Sequence, residues 1–173
     1  MHRITRGVVA AALAALTTLT IPAGANAATP SVAATAPAAR TAAANCPSEV
    51  MFGGLSGSRT YGAGAFCLFT LSSNRTKEFV FQGDGNLVYY LAGSPLWASN
   101  TNGRGSRLAL QQDGNMVIYD PSGRAIWATM TINIGSTTRR LVQQADGNVV
   151  LYLYPYAGLN QRPVWATNTN NSV

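Results

Sequence analysis

A chain of 173 residues, 47% of them hydrophobic and 10% charged, is long enough for one domain with a real core and too short for two. Of the 12 basic residues behind the net charge of +6, Arg3, Arg6 and Arg40 precede the foldable part, leaving 9 against 6 acidic ones from Cys46 onward. With no basic helix or stripe among them, this charge reads as mild and solvating, and no nucleic-acid partner is expected.

The first element is residues 1–27, "MHRITRGVVAAALAALTTLTIPAGANA". It has a basic start, an apolar run from Gly7 to Ile21 too short to span a bilayer, and the small-residue ending Ala25-Asn26-Ala27. This is the pattern of a secretory signal peptide, so a secreted, extracellular protein without membrane insertion is expected. Residues 28–45, "ATPSVAATAPAARTAAAN", contain no aromatic residue and bury too little apolar surface to offset their ordering entropy. They read as a linker or pro-segment, and the folded domain is residues 46–173. Arg outnumbers Lys eleven to one, which with the abundant Ala points to a GC-rich bacterial genome.

Both cysteines, Cys46 and Cys67, fall in the exported part, where an oxidising compartment favours a disulfide between them. Closing a loop of that size stabilises by about 3 kcal/mol in the chain-entropy view and ties down the start of the domain.

From residue 79 the chain repeats itself as "FVFQGDGNLVYYLAGSPLWASNT", "LALQQDGNMVIYDPSGRAIWATMT" and "LVQQADGNVVLYLYPYAGLNQRPVWATNT". Each copy reads strand, DG turn, strand, second turn, then a short segment around Trp97, Trp127 or Trp165. A two-residue Asp113-Gly114 loop would put Leu108 and Leu110 on the face opposite Met116 and Ile118. A three-residue loop, Gln112-Asp113-Gly114, with the glycine left-handed, unites all four on one face. The same register predicts Phe79, Phe81, Leu87 and Tyr89 as the inward face of the first copy. The third offers Leu141, Val149 and Leu151, but Gln143 stands where Leu110 and Phe81 stand, which makes it the weakest of the three. Units too small to bury a face alone should pack around a pseudo-threefold axis with one Trp apiece, giving an all-β domain of about a dozen strands.

The opposite face carries Gln82, Asp84, Asn86, Val88 and Tyr90 in the first copy. The second has Gln111, Asp113, Asn115, Val117 and Tyr119, and the third Gln144, Asp146, Asn148, Val150 and Tyr152. Turn preference accounts for the Asp and Gly of this Q-x-D-x-N-x-V-x-Y row, but not for the Gln before or the Tyr after. A carboxylate acceptor, amides that give and take, and a phenol above a small apolar floor are what a sugar with its donor and acceptor hydroxyls requires.

On this motif, repeated three times, and on W-A-[ST]-N-T at Trp97 and Trp165, the chain resembles the bulb-type (monocot mannose-binding) lectin family over roughly residues 50–170. The resemblance implies a β-prism II fold of three four-stranded sheets and mannose or mannose-rich glycans as partners. It implies that Asp84 and Asn86 hold the axial 2-hydroxyl, Gln82 the 3-hydroxyl and Tyr90 the 4-hydroxyl, with Val88 under C3 and C4. Asp113, Asn115, Gln111, Tyr119 and Val117 would repeat those roles, as would Asp146, Asn148, Gln144, Tyr152 and Val150. Members often pair by exchanging C-terminal strands, which makes a homodimer one option and leaves the oligomeric state open. The chain departs from the family at Met130, where the other copies have Asn100 and Asn168, and at Gly85, where plant members often carry a cysteine. The loop between Tyr152 and Trp165 is longer than its counterparts and could cover or extend the third site.

Other function classes fare worse. The only histidine, His2, leaves with the signal peptide, which excludes histidine-based catalysis and metal binding in the mature chain. A glycosidase needs two carboxylates within about 5–10 Å, yet Asp84, Asp113 and Asp146 belong to different repeats. Each DGN turn offers one carboxylate, too few for calcium. No enzyme activity, metal or cofactor is therefore expected. A lectin-like bacteriocin, using the same sites to reach bacterial surface glycans, is the alternative within the family.

Overall fold

The computed structural model of the chain describes residues 45–72, 75–132, 138–154 and 161–170. The expected leader and nearly all of the linker lie outside the described residues, as do residues 155–160 of the long third-copy loop and residues 171–173 at the C-terminus.

Twelve strands form three antiparallel four-stranded sheets. The first repeat supplies β4 (Arg75–Phe81), β5 (Leu87–Leu91) and β6 (Ser94–Ala98). The second supplies β7 (Arg107–Leu110), β8 (Met116–Tyr119) and β9 (Ala125–Ala128), and the third β10 (Arg139–Gln143), β11 (Val149–Leu153) and β12 (Arg162–Ala166). Each sheet takes its fourth strand from the N-terminal segment: β3 (Phe66–Ser72) pairs with β4, β2 (Arg59–Gly62) with β7, and β1 (Glu49–Phe52) with β10. These strands were not legible in the repeat. They let one short stretch of chain join all three units, because each three-stranded repeat otherwise presents a bare edge.

The Cys46–Cys67 disulfide is formed, with Cα atoms 5.4 Å apart. It staples the segment leading into β1, in the third repeat's sheet, to β3 in the first repeat's sheet. The Phe69 N–H donates to the Pro47 carbonyl beside it at 2.9 Å.

The hairpin register is the three-residue one. Leu110 pairs with Met116, the Gln111 N–H donates to the Asn115 carbonyl at 2.8 Å, and the Gly114 N–H to the Gln111 carbonyl at 3.0 Å. Gly85, Gly114 and Gly147 take φ values of 80°, 87° and 84°, the left-handed backbone that glycine adopts without a Cβ clash. The inward residues are accordingly sealed: Phe79, Phe81, Leu87, Tyr89, Leu108, Leu110, Met116, Ile118, Leu141, Val149 and Leu151 are all 0% exposed. Burying a side chain of this size contributes roughly 1.5–3 kcal/mol. Gln143 occupies the corresponding place in the third unit, 4% exposed, and neither polar atom of its amide has a hydrogen-bond partner. An amide buried this way costs about 1–3 kcal/mol instead of contributing, so the third unit is the least stabilised by its own core.

Trp97, Trp127 and Trp165 meet edge to face about the axis, with centroids 5.4, 5.7 and 5.9 Å apart. Such edge-to-face contacts add about 0.5–1.5 kcal/mol each beyond burial. Each Trp sits on an edge strand with a register shift at the same place. Tyr89 pairs with Trp97 but Tyr90 with Pro95; Ile118 with Trp127 but Tyr119 with Ala125; Leu151 with Trp165 but Tyr152 with Pro163. The extra residue in each shift is Leu96, Ile126 or Val164, and each packs on the core beside its Trp. The bulge thus buries two consecutive apolar side chains and bends the strand next to the outward-facing tyrosine.

Candidate functional site

The outward row of each repeat is held by one pattern of bonds made three times. Asp84 Oδ1 accepts from the Asn86 N–H at 2.9 Å, Asp113 Oδ1 from the Asn115 N–H at 2.9 Å, and Asp146 Oδ1 from the Asn148 N–H at 3.0 Å. Gln82 Nε2 donates to the Tyr90 phenol at 2.8 Å, Gln111 to Tyr119 at 2.7 Å, and Gln144 to Tyr152 at 2.6 Å. Residues eight apart in sequence meet because the hairpin folds back on itself with the Gln at its mouth.

The asparagines are fixed from behind. Asn115 Oδ1 accepts from Thr129 Oγ1 at 3.0 Å and from the Thr131 N–H at 3.2 Å, and Thr131 Oγ1 donates to the Gly114 carbonyl at 2.8 Å. Ser99 and Thr101 serve Asn86 in the same way, and Thr167 and Thr169 serve Asn148. The hydroxyl pair of W-A-[ST]-x-T is therefore a clamp for the outward row, a role that the sequence reading missed although the [ST]-x-T spacing recurs in every copy. Asn100, Met130 and Asn168, the residues between the hydroxyls, all have φ of 57°. The position contributes a left-handed backbone, so the departure from the family at Met130 leaves the second clamp intact. Its side chain is 63% exposed.

This bonding sorts the atoms of each row into those used by the fold and those left for a ligand. Since the Asn oxygen faces two donors, its NH₂ group is the outward donor. The Asp keeps Oδ2 and the Gln keeps Oε1 as acceptors without a partner among the described residues, and the phenol protons of Tyr119 and Tyr152 remain to donate. The valines close the floor: Val88, Val117 and Val150 are 1%, 3% and 3% exposed. Asp84 and Asp146 are exposed, whereas Asn86 and Asn115 are buried. All fifteen expected residues thus fall into three rows of five, one per sheet.

The repeats also brace one another in a ring through positions that sequence reasoning passed over. Lys77, 1% exposed, sends its ammonium from the first repeat to the Gln144 carbonyl at 3.3 Å and to that of Ala145, both in the third turn. Arg139, 0% exposed, runs from the third repeat to the second, where it donates to the Thr131 carbonyl at 2.9 Å. Its guanidinium lies so close behind Gly114 that a Cβ there would sit 2.4 Å from Cζ. The second repeat closes on the first through backbone alone: a Cβ on Gly85 would meet the Gly105 carbonyl oxygen at 1.8 Å. Lys77 and Arg139 are hence structural, which corrects their reading as solvating charge. Burial pulls the Arg139 pKa below its ordinary value, with the Asp113 carboxylate opposing and Arg162 reinforcing that pull. Burial, helped by Asp146, pushes the Tyr89 phenol up to about 12.

Known structures share this fold. A lectin from Marasmius oreades is 32% identical, with a TM-score of 0.56 over 73% of this chain and 95% of its own. A Polygonatum cyrtonema lectin solved with a monomannoside is 38% identical, TM-score 0.52, over 64% of this chain and 94% of its own. The mannose-specific agglutinin of snowdrop bulbs (Galanthus nivalis), solved with methyl-α-D-mannoside, is 34% identical, TM-score 0.51, over 64% and 94%. The chain belongs to the bulb-type lectin family. Its three sheets about a pseudo-threefold axis are the β-prism II fold of that family. No family model matches the chain, and no curated protein does. Among the described residues of this bulb-type lectin, no group of three His, Cys, Asp or Glu side chains could hold a metal ion.

Proposed function

We propose that this bulb-type lectin is a secreted, non-enzymatic protein that binds mannose or mannose-containing glycans through its three rows without a metal. One observation carries the reading: three times over, the fold consumes one atom of each Asp, Asn and Gln and leaves a carboxylate acceptor, an amide acceptor and an amide donor above a valine floor. Relatives solved with mannosides, such as those of Polygonatum and snowdrop, support the choice of sugar. The leader-like residues 1–27 support export, and the formed disulfide suits an oxidising destination.

Magnitude decides how such sites must act. A monosaccharide of about a dozen heavy atoms at roughly 0.3 kcal/mol each gains about 4 kcal/mol, a Kd near millimolar. Three such sites on one rigid body gain by avidity on a branched or crowded mannose polymer. An axial 2-hydroxyl satisfies the Asp and Asn together, and glucose, with an equatorial one, leaves them unpaired.

The test is retention of the secreted protein on mannan resin and its elution by mannose but not by glucose. Because each Asn oxygen also supports its turn, Asn-to-Ala changes would confuse binding with folding. Asn86→Asp, Asn115→Asp and Asn148→Asp together keep that oxygen and replace the outward donor by an acceptor. Retention should disappear while the circular dichroism and melting temperature stay near wild type. A triple variant that is still retained, or equal elution by both sugars, refutes the reading.

A further inference from the structure

The three rows are alike, but the residue beside each tyrosine is not. The cross-strand neighbour on the same face is Glu78 for Tyr90, Arg107 for Tyr119 and Arg140 for Tyr152. One strand further out stand Phe69, Gly62 and Met51. The first site therefore has an acidic wall backed by a bulky ring. At the third, Arg140 is occupied, since its Nε donates to Glu49 Oε2 at 2.9 Å and its Nη1 to Gln161 at 3.1 Å. At the second, the Arg107 guanidinium lies 4.3 Å from the centre of the Tyr119 ring, exposed, with no carboxylate partner among the described residues and no side chain on Gly62 to cover it.

We propose that the second site takes a mannose bearing an anionic substituent, with Arg107 as the residue that confers this specificity; the proposal rests on the sugar-binding reading above. Stacking on Tyr119 holds the guanidinium plane in place and leaves its N–H donors at the rim, where Arg meets a phosphate or carboxylate in a two-pronged fashion. The ring edge assigned to Tyr119 is that of the sugar's 4-hydroxyl, so a charged group on O6 extends to the same side. Phosphate on mannose would gain this contact at the second site, meet Glu78 at the first, and find Arg140 already paired at the third.

The experiment is a site-resolved titration of the isotope-labelled secreted protein by heteronuclear NMR, following the Asn86, Asn115 and Asn148 backbone amides. Methyl α-mannoside, mannose 6-phosphate and inorganic phosphate are the three ligands. At low salt Asn115 should respond to mannose 6-phosphate at about three- to five-fold lower concentration than to the neutral sugar, the scale of one exposed charge pair. Asn86 and Asn148 should show no such gain, and salt at about 1 M should erase it. Arg107→Gln should remove the difference between the two sugars at Asn115, and Arg107→Lys should restore part of it. Equal responses at Asn115, a preference that survives Arg107→Gln, or inorganic phosphate acting as strongly as the phosphosugar overturns the proposal. Methyl α-mannoside moving none of the three amides overturns the sugar-binding reading and this inference with it.

Discussion

The first and second outward rows present the same five side chains on the same hairpin, held by the same pair of hydroxyls, yet what presses on each turn from the next repeat and what stands beside each tyrosine differ. Behind the first, Gly85 is pressed against the Gly105 carbonyl, backbone on backbone; behind the second, Gly114 rests on the guanidinium of a buried Arg139. Beside the first, Tyr90 is 2% exposed next to Glu78; beside the second, Tyr119 is half-buried under Arg107. The chemistry of the outward row is thus separable from its support. A carboxylate, an amide and a phenol need particular places, whereas a turn needs only something incompressible behind it.

The sharpest way to break the symmetry is to add a methyl group behind each turn. Gly85→Ala forces a Cβ with φ of 80° into a carbonyl that cannot move without shifting its chain, and should cost about 4 kcal/mol or more in urea unfolding, or prevent folding. Gly114→Ala meets the tip of a side chain instead, so its cost should be smaller; equal costs would mean that Arg139 is as rigid as backbone.

Arg139→Ala comes next. It strips the Thr131 carbonyl of a donor, leaves Asp113 without its nearby cation and opens a cavity, for an expected loss of about 3 kcal/mol. The first row, which has no such prop, should keep its NMR shifts; a uniform perturbation would show the units to be coupled as a whole.

The third difference is titratable. Tyr89 has Ile118 and Leu151 as counterparts, and its buried hydroxyl has no hydrogen-bond partner. Its folded-state pKa of about 12 lies above the ordinary 10.0. The neutral phenol's contribution is therefore intact below pH 10 and is lost as the pH rises towards 12, a decline of up to about 2–3 kcal/mol. Tyr89→Phe should flatten this alkaline loss and gain about 1 kcal/mol at neutral pH by removing the unpaired hydroxyl. An unchanged pH profile would place the titration elsewhere.

The smallest effect is expected at Met130, where φ of 57° in the second unit suits the Asn of the other two. Met130→Asn should stabilise by about 1 kcal/mol in thermal melts without altering sugar retention. A change in retention would mean that the residue between the clamping hydroxyls reaches the ligand.

Much of this was legible because it is local. The period-two alternation around each DGN turn sufficed to choose the three-residue loop, the inward face and the outward row, and the structure places Phe79 to Tyr89 and Leu108 to Ile118 accordingly. The fourth strands were expected from the resemblance but not placed in the chain, because β1 and β2 are short and resemble no repeat; only the sheet edges they cover give them a role. Leu96-Trp97, Ile126-Trp127 and Val164-Trp165 break the alternation, and a bulge explains the break only once the facing strand is known.

By itself the sequence determined the hairpins, the apolar face of each unit and the row of polar side chains, since a side chain's face in a strand depends only on parity and on the turn that sets the register. Which atoms of that row remain available, and how the three copies come to differ, were decided by tertiary structure. The clamps on Asn86, Asn115 and Asn148 and the burial of Lys77 and Arg139 against a neighbouring turn join residues far apart in the chain. Their energies depend on distance and on exclusion from water, which no local pattern encodes.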